Sequence, residues 1–97
     1  METSRTEVPI EADLLDLVPG FCEARKKEMN LLSEYLEKSD FEAIKRISHT
    51  VKGIAAPYGF PTLETLFRNL ETSAKQKDGI TSGETLKSIQ RYADEYF

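Results

Sequence analysis

Tryptophan is absent from this 97-residue sequence, histidine and cysteine occur once each, and no long apolar run is present. A lone Cys22 cannot close an internal disulfide. With one histidine beside it, the chain has too few soft ligands for a zinc centre, so no metal and no cofactor is expected. No stretch approaches the ~20 apolar residues needed to cross a bilayer. The first twenty residues mix charged and apolar types without an apolar signal core, so the expected location is cytoplasmic. The sequence also has no glycine-rich phosphate loop, Walker motif or kinase lysine–aspartate set, which excludes an ATP site of its own. Acidic residues outnumber basic ones, 17 to 13, giving a net charge of −4 and arguing against nucleic acid as the main partner.

Strand alternation, internal repeats and low-complexity tracts are missing too; what remains is helical periodicity. Residues 1–10 carry no pattern and are expected to form a loose arm, with a single domain over 11–97. Leu14, Leu15, Leu17 and Val18 suit a short helix packing on the rest. Pro19 fits the first turn of a longer helix, where its missing N–H costs nothing. That helix spaces Phe21, Cys22, Met29, Leu32, Tyr35 and Leu36 mostly three and four apart, with Arg25 and its charged neighbours off the stripe. Ser39 and Glu42 predict a capping box opening a third helix that runs to about Tyr58. Pro57 deletes a hydrogen bond in its last turn, and Gly59 offers the left-handed conformation that ends it. From Pro61 a helix aligns Leu63, Leu66, Phe67, Leu70 and Ala74. A second capping box, Thr81 with Glu84, opens the last helix, which buries Leu86, Ile89, Ala93 and one of Tyr96 or Phe97. Four amphipathic helices with short connections predict an all-α antiparallel four-helix bundle with a short extra N-terminal helix, monomeric because the four stripes bury one another.

The single histidine falls on the wrong face for a core residue. At about 100° per residue, Glu42, Lys45, Arg46, Lys52, Gly53 and Ala56 lie within roughly 60° of His49 on a helical projection. Ile44, Ile47, Val51, Ile54 and Tyr58 lie within about 40° of the opposite pole. An outward imidazole beside three cations suits chemistry on an anion, with phosphate the first candidate. Neutral imidazole is a good nucleophile near neutral pH, and cations one turn away stabilise the charge of a transferring phosphoryl group. Gly53, four residues on, leaves room for an approaching partner, and a mid-helix glycine costs ~1 kcal/mol against alanine unless something repays it. Each feature also has an ordinary reading: an inert surface histidine, a solvated basic face, a glycine that lets another helix pack closely.

The run His49-Thr50-Val51-Lys52-Gly53, with Gly59 six residues after the first glycine, resembles the signature of histidine phosphotransfer (HPt) domains. Asp40-Phe41-Glu42-Ala43-Ile44, Leu17-Val18-Pro19-Gly20-Phe21 and Leu63, Leu66, Leu70 and Glu71 resemble the family as well, so the likeness spans about Ile10 to Phe97. It implies a phosphocarrier that takes a phosphoryl group from the aspartyl phosphate of a receiver domain and passes it to another receiver in a multistep phosphorelay. In this sequence it implies His49 as phosphoacceptor and Lys52 as phosphate-stabilising cation; Lys45 and Arg46 join them in support on helical spacing alone, four and three residues before the histidine. Gly53 would admit the receiver and Gly59 would shape the helix end. Glu71 corresponds to a position where some members hold the imidazole with a polar side chain; a surface charge beside Arg68 or Lys75 is the competing reading. Pro57 departs from the commoner aliphatic residue.

Receiver domains of response regulators or hybrid kinases are the implied partners. The main alternative is a non-catalytic helical module that binds a receiver without carrying phosphate. The dimerisation hairpin of a sensor kinase fits less well. That class usually places an acidic residue directly after its histidine, where this sequence has Thr50, and two further helices follow here.

Overall fold

The computed structural model describes residues 6–97, and Met1–Arg5 lie outside the described residues. The described chain is all-helical: α1 (Ala12–Leu15), α2 (Val18–Glu37), α3 (Phe41–Ile54), α4 (Pro61–Lys75) and α5 (Gly79–Tyr96). The last four form the antiparallel bundle. Packing runs around the ring from α2 to α3, α3 to α4, α4 to α5 and α5 back to α2, and α3 against α4 is the most extensive pairing. No helix among the described residues is long and apolar enough to cross a membrane.

The predicted stripes are the core. Leu32, Ile44, Val51, Leu63, Phe67, Leu70 and Ile89 are fully enclosed. α1 buries nothing, and Leu15 and Leu17 stay exposed rather than packing on the bundle. Among the buried residues that the stripes did not include are Tyr92 and Arg25. Tyr92 is buried on α5, while Tyr96 and Phe97 are both only half-buried. Arg25 occupies a core position of α2: its guanidinium makes a two-pronged pair with Glu28 (2.7 and 2.9 Å) and lies over the Phe21 ring. A long aliphatic stem and a paired, ring-stacked head let arginine fill a position that periodicity reserves for an apolar side chain.

The helix starts differ from the predicted capping boxes. Ser39 has φ 55° and cannot cap, because a cap residue needs an extended φ,ψ. It is the left-handed residue that closes α2, donating its N–H to Leu36 O (3.0 Å), while the Asp40 N–H donates to Tyr35 O (2.8 Å). Asp40 then caps α3, accepting from the Ala43 N–H (3.2 Å). The α4–α5 connection repeats this construction. Lys77 (φ 55°) donates to Ala74 O and Asp78 to Ser73 O, and Asp78 caps α5 by accepting from the Thr81 N–H. Helix α5 therefore begins at Gly79, ahead of the predicted Thr81 box. Between α4 and α5 a buried pair of hydroxyls is satisfied in series: Ser82 donates to Ser73, which donates to Leu70 O.

Helix α3 ends at Ile54, short of the predicted Tyr58, because Pro57 has no N–H to continue the ladder. Residues 55–59 turn instead, with Gly59 at φ 95°. A Cβ there would sit 2.6 Å from Ile10 Cγ2 and 2.7 Å from Thr6 Cβ. That crowding shows residues 6–10 to be tied down rather than loose. The Glu7 and Val8 N–H groups donate to Gly59 O (2.8 and 3.2 Å). The Glu7 carboxylate accepts from the Thr62 N–H (2.9 Å), the Thr62 hydroxyl and the Tyr92 hydroxyl (2.8 Å). Burial works against the charge on Glu7, but the Thr62 and Tyr92 hydrogen bonds outweigh it and hold the carboxyl below its ordinary range. Under this clasp Phe60, fully enclosed, is ringed by Phe21, Tyr92, Tyr96 and Phe97 at centroid distances of 5.3 to 6.2 Å.

Candidate functional site

Sinking Ile44 and Val51 into the core, with Ile47 and Ile54 packed at its edge, fixes the roll of α3 about its axis. His49 is thereby turned outward, and its side chain is 71% exposed. The α3–α4 contact then brings Glu71 beneath it. Glu71 follows Phe67 and Leu70 on the inner face of α4, so its stem is enclosed and its side chain only 11% exposed, while its head emerges between the helices. One oxygen, Oε2, lies 3.1 Å from His49 Nδ1; the other, Oε1, lies 2.8 Å from Lys52 Nζ. A single carboxylate thus holds the imidazole and the ammonium one turn beyond it. The Lys52 hydrogen bond, opposed by burial and reinforced by His49, keeps the Glu71 carboxyl below its ordinary range.

An ionised carboxylate only accepts hydrogen bonds. The proton in the His49–Glu71 contact therefore belongs to Nδ1, and in the neutral ring the lone pair lies on Nε2. No described residue holds Nε2. The ring is oriented and its outer nitrogen is left nucleophilic, as happens when a carboxylate accepts the free ring N–H of a metal-bound histidine.

The structure separates the other residues singled out in the sequence. Lys45 pairs with Glu42 (3.1 Å), so much of its charge is spent locally. Arg46 makes no ion pair among the described residues; its carbonyl accepts from the Thr50 hydroxyl. Both line a shallow groove of about 310 Å³ that also takes in His49, Glu71 and Lys75. Gly53 is exposed, and a Cβ there would meet nothing within 4 Å. No neighbouring helix explains this glycine. Gly59 lies beyond the helix end, where its positive φ and the Thr6–Ile10 clasp account for it without reference to His49. Arg68 pairs with Glu64, not with Glu71. Lys75 was not read from the sequence as a site residue. Its signal was its spacing, one turn past Glu71 on the same helix.

A family model described as Hpt domain matches residues 13–95. Comparison with curated proteins and with solved structures returns no match.

Proposed function

The chain belongs to the Hpt domain family, the histidine-containing phosphotransfer modules of two-component signalling, and on that premise we propose that His49 is its phosphoacceptor. In this reading the chain is a phosphocarrier between receiver domains, monomeric and cytoplasmic, with no nucleotide site of its own. The observation that carries it is the two-handed Glu71 carboxylate, which holds His49 Nδ1 and Lys52 Nζ together on an exposed ridge.

The chemistry follows from that contact. The Nε2 lone pair attacks the phosphorus of an aspartyl phosphate. The Nε2–P bond forms as the P–O bond to the aspartate breaks, and the aspartate leaves as a carboxylate. No proton has to leave Nε2, because the ring proton is already on Nδ1. The positive charge that develops on the ring is met by Glu71, and the charge on the phosphoryl oxygens by Lys52 one turn away. Onward transfer reverses these steps. With Nδ1 still protonated the imidazole departs as a neutral molecule, a far better leaving group than imidazolate. Gly53 presents bare backbone beside the reacting nitrogen and admits the second protein.

The decisive experiment mixes the chain with a receiver domain charged by acetyl phosphate. Phosphate that is acid-labile and alkali-stable should appear on the chain and be absent from a His49→Gln variant. Transfer retained by that variant ends the proposal.

A further inference from the structure

The groove beside His49 does not stop at the histidine. It shares Glu42, Lys45 and Lys75 with a second groove of about 480 Å³, lined further on by Asp40 and Lys77. The two form one trough between α3 and α4, running from His49 towards connections 38–40 and 76–78. Its carboxylates are all engaged within the chain: Asp40 caps α3, Glu42 pairs with Lys45, and Glu71 holds Lys52 and His49. Three cations along it, Arg46, Lys75 and Lys77, make no ion pair among the described residues. In a chain of net charge −4 this is a local strip of uncommitted positive charge. Lys77 is the left-handed residue (φ 55°) that ends α4, which places it on the rim of the trough.

The trough extends to one side of the histidine only. Lys45 lies one turn before His49 on α3, and Lys75 lies one turn after Glu71 on antiparallel α4, so both fall towards the same end of the bundle. Gly53 lies one turn the other way. We propose that this trough seats an acidic strip on the docking receiver, with Lys75 and Lys77 setting the partner's orientation and rate of encounter while its reacting carboxyl reaches His49 beside Gly53. The proposal rests on the phosphocarrier reading and adds the chemistry of the partner's surface. Charge arranged at one end of a footprint steers association and rejects the reversed pose, and its effect weakens with salt.

The test uses a receiver domain that transfers to the unmodified chain after charging with acetyl phosphate. Phosphoramidate, a small donor that needs no docking, serves in parallel. For the Lys75→Glu/Lys77→Glu double variant, kcat/KM of receiver transfer should fall about tenfold at low ionic strength, and the deficit should shrink to within about twofold at roughly 0.5 M salt. The Lys75→Gln/Lys77→Gln variant should fall between the two. Labelling by phosphoramidate and the far-UV circular dichroism should not change. Lys26→Glu/Lys87→Glu, which alters net charge equally on α2 and α5, should leave transfer unaffected. Unchanged receiver transfer in the trough variant, with His49 still labelled by phosphoramidate, overturns the proposal and spares the carrier reading. An equal loss in the control variant also overturns it, since net charge alone would then suffice. Phosphate that reaches the unmodified chain at a residue other than His49 overturns both.

Discussion

Glu71 is the residue on which the chemistry of His49 turns, and its substitution separates orientation from charge. In Glu71→Ala the imidazole loses its Nδ1 partner. Nitrogen-15 NMR should then show both neutral tautomers where the parent shows Nδ1–H, and phosphotransfer should slow by about tenfold or more. A single Nδ1–H form in the variant would mean that the carboxylate does not choose the tautomer. The same carboxyl makes a prediction about acid stability. Its native pKa lies below the 4.5 of an unperturbed glutamate, chiefly through Lys52. Its contribution is therefore complete above the unfolded value and is lost as pH falls through the lowered native one. Stability should decline less steeply below pH 4.5 in Glu71→Gln than in the parent. The His49 face could be read from sequence because helical periodicity alone turns it outward. The carboxylate bridge could not, since it depends on how α4 is rolled against α3, and spacing along α4 gave Glu71 no preference between His49 and its own neighbours Arg68 and Lys75.

Helix existence and order followed from apolar spacing, and all four long helices are where it put them. The boundaries moved for local reasons. Ser-x-x-Glu and Thr-x-x-Glu patterns marked starts that the backbone gives to Asp40 and Asp78, because each aspartate follows a left-handed residue ending the previous helix. Two substitutions in the α2–α3 connection distinguish these roles. Asp40→Ala removes the side-chain acceptor of the Ala43 N–H and should cost about 1 kcal/mol. Ser39→Gly should instead stabilise by about 0.5 kcal/mol, since relief of the left-handed serine exceeds the added freedom of the unfolded chain. Urea midpoints at constant slope measure both. A loss of stability in Ser39→Gly would restore the serine as the cap. Arg25 was misplaced for a different reason: periodicity assigns positions to the core by residue type, and an arginine paired with Glu28 and laid on Phe21 meets the core's needs without being apolar.

Across the whole molecule, the segment before α1 was the least readable, because a short stretch without periodicity gives no sign that its backbone and one glutamate are held by distant partners. Glu7 and Tyr92 are 85 residues apart and share a hydrogen bond. Burial, then the Glu7 carboxylate, pushes the Tyr92 hydroxyl well above the ordinary tyrosine value of 10.0. The native state thus keeps a proton that the unfolded chain gives up. The stability from Tyr92 is complete below about pH 10 and drains away as pH rises further. Tyr92→Phe should lose about 1 kcal/mol at neutral pH and should fall less than the parent between about pH 9 and 11. Parallel melting curves for the two proteins over that range would exclude the coupling. The clasp also has a consequence for synthesis. A ribosome releases the chain from its N-terminal side, so Glu7 emerges long before its partner Tyr92 has been translated. The aromatic end of the bundle cannot be sealed until α5 has left the ribosome, and a chain stalled before α5 would expose Phe60 to the chaperones that patrol the tunnel exit.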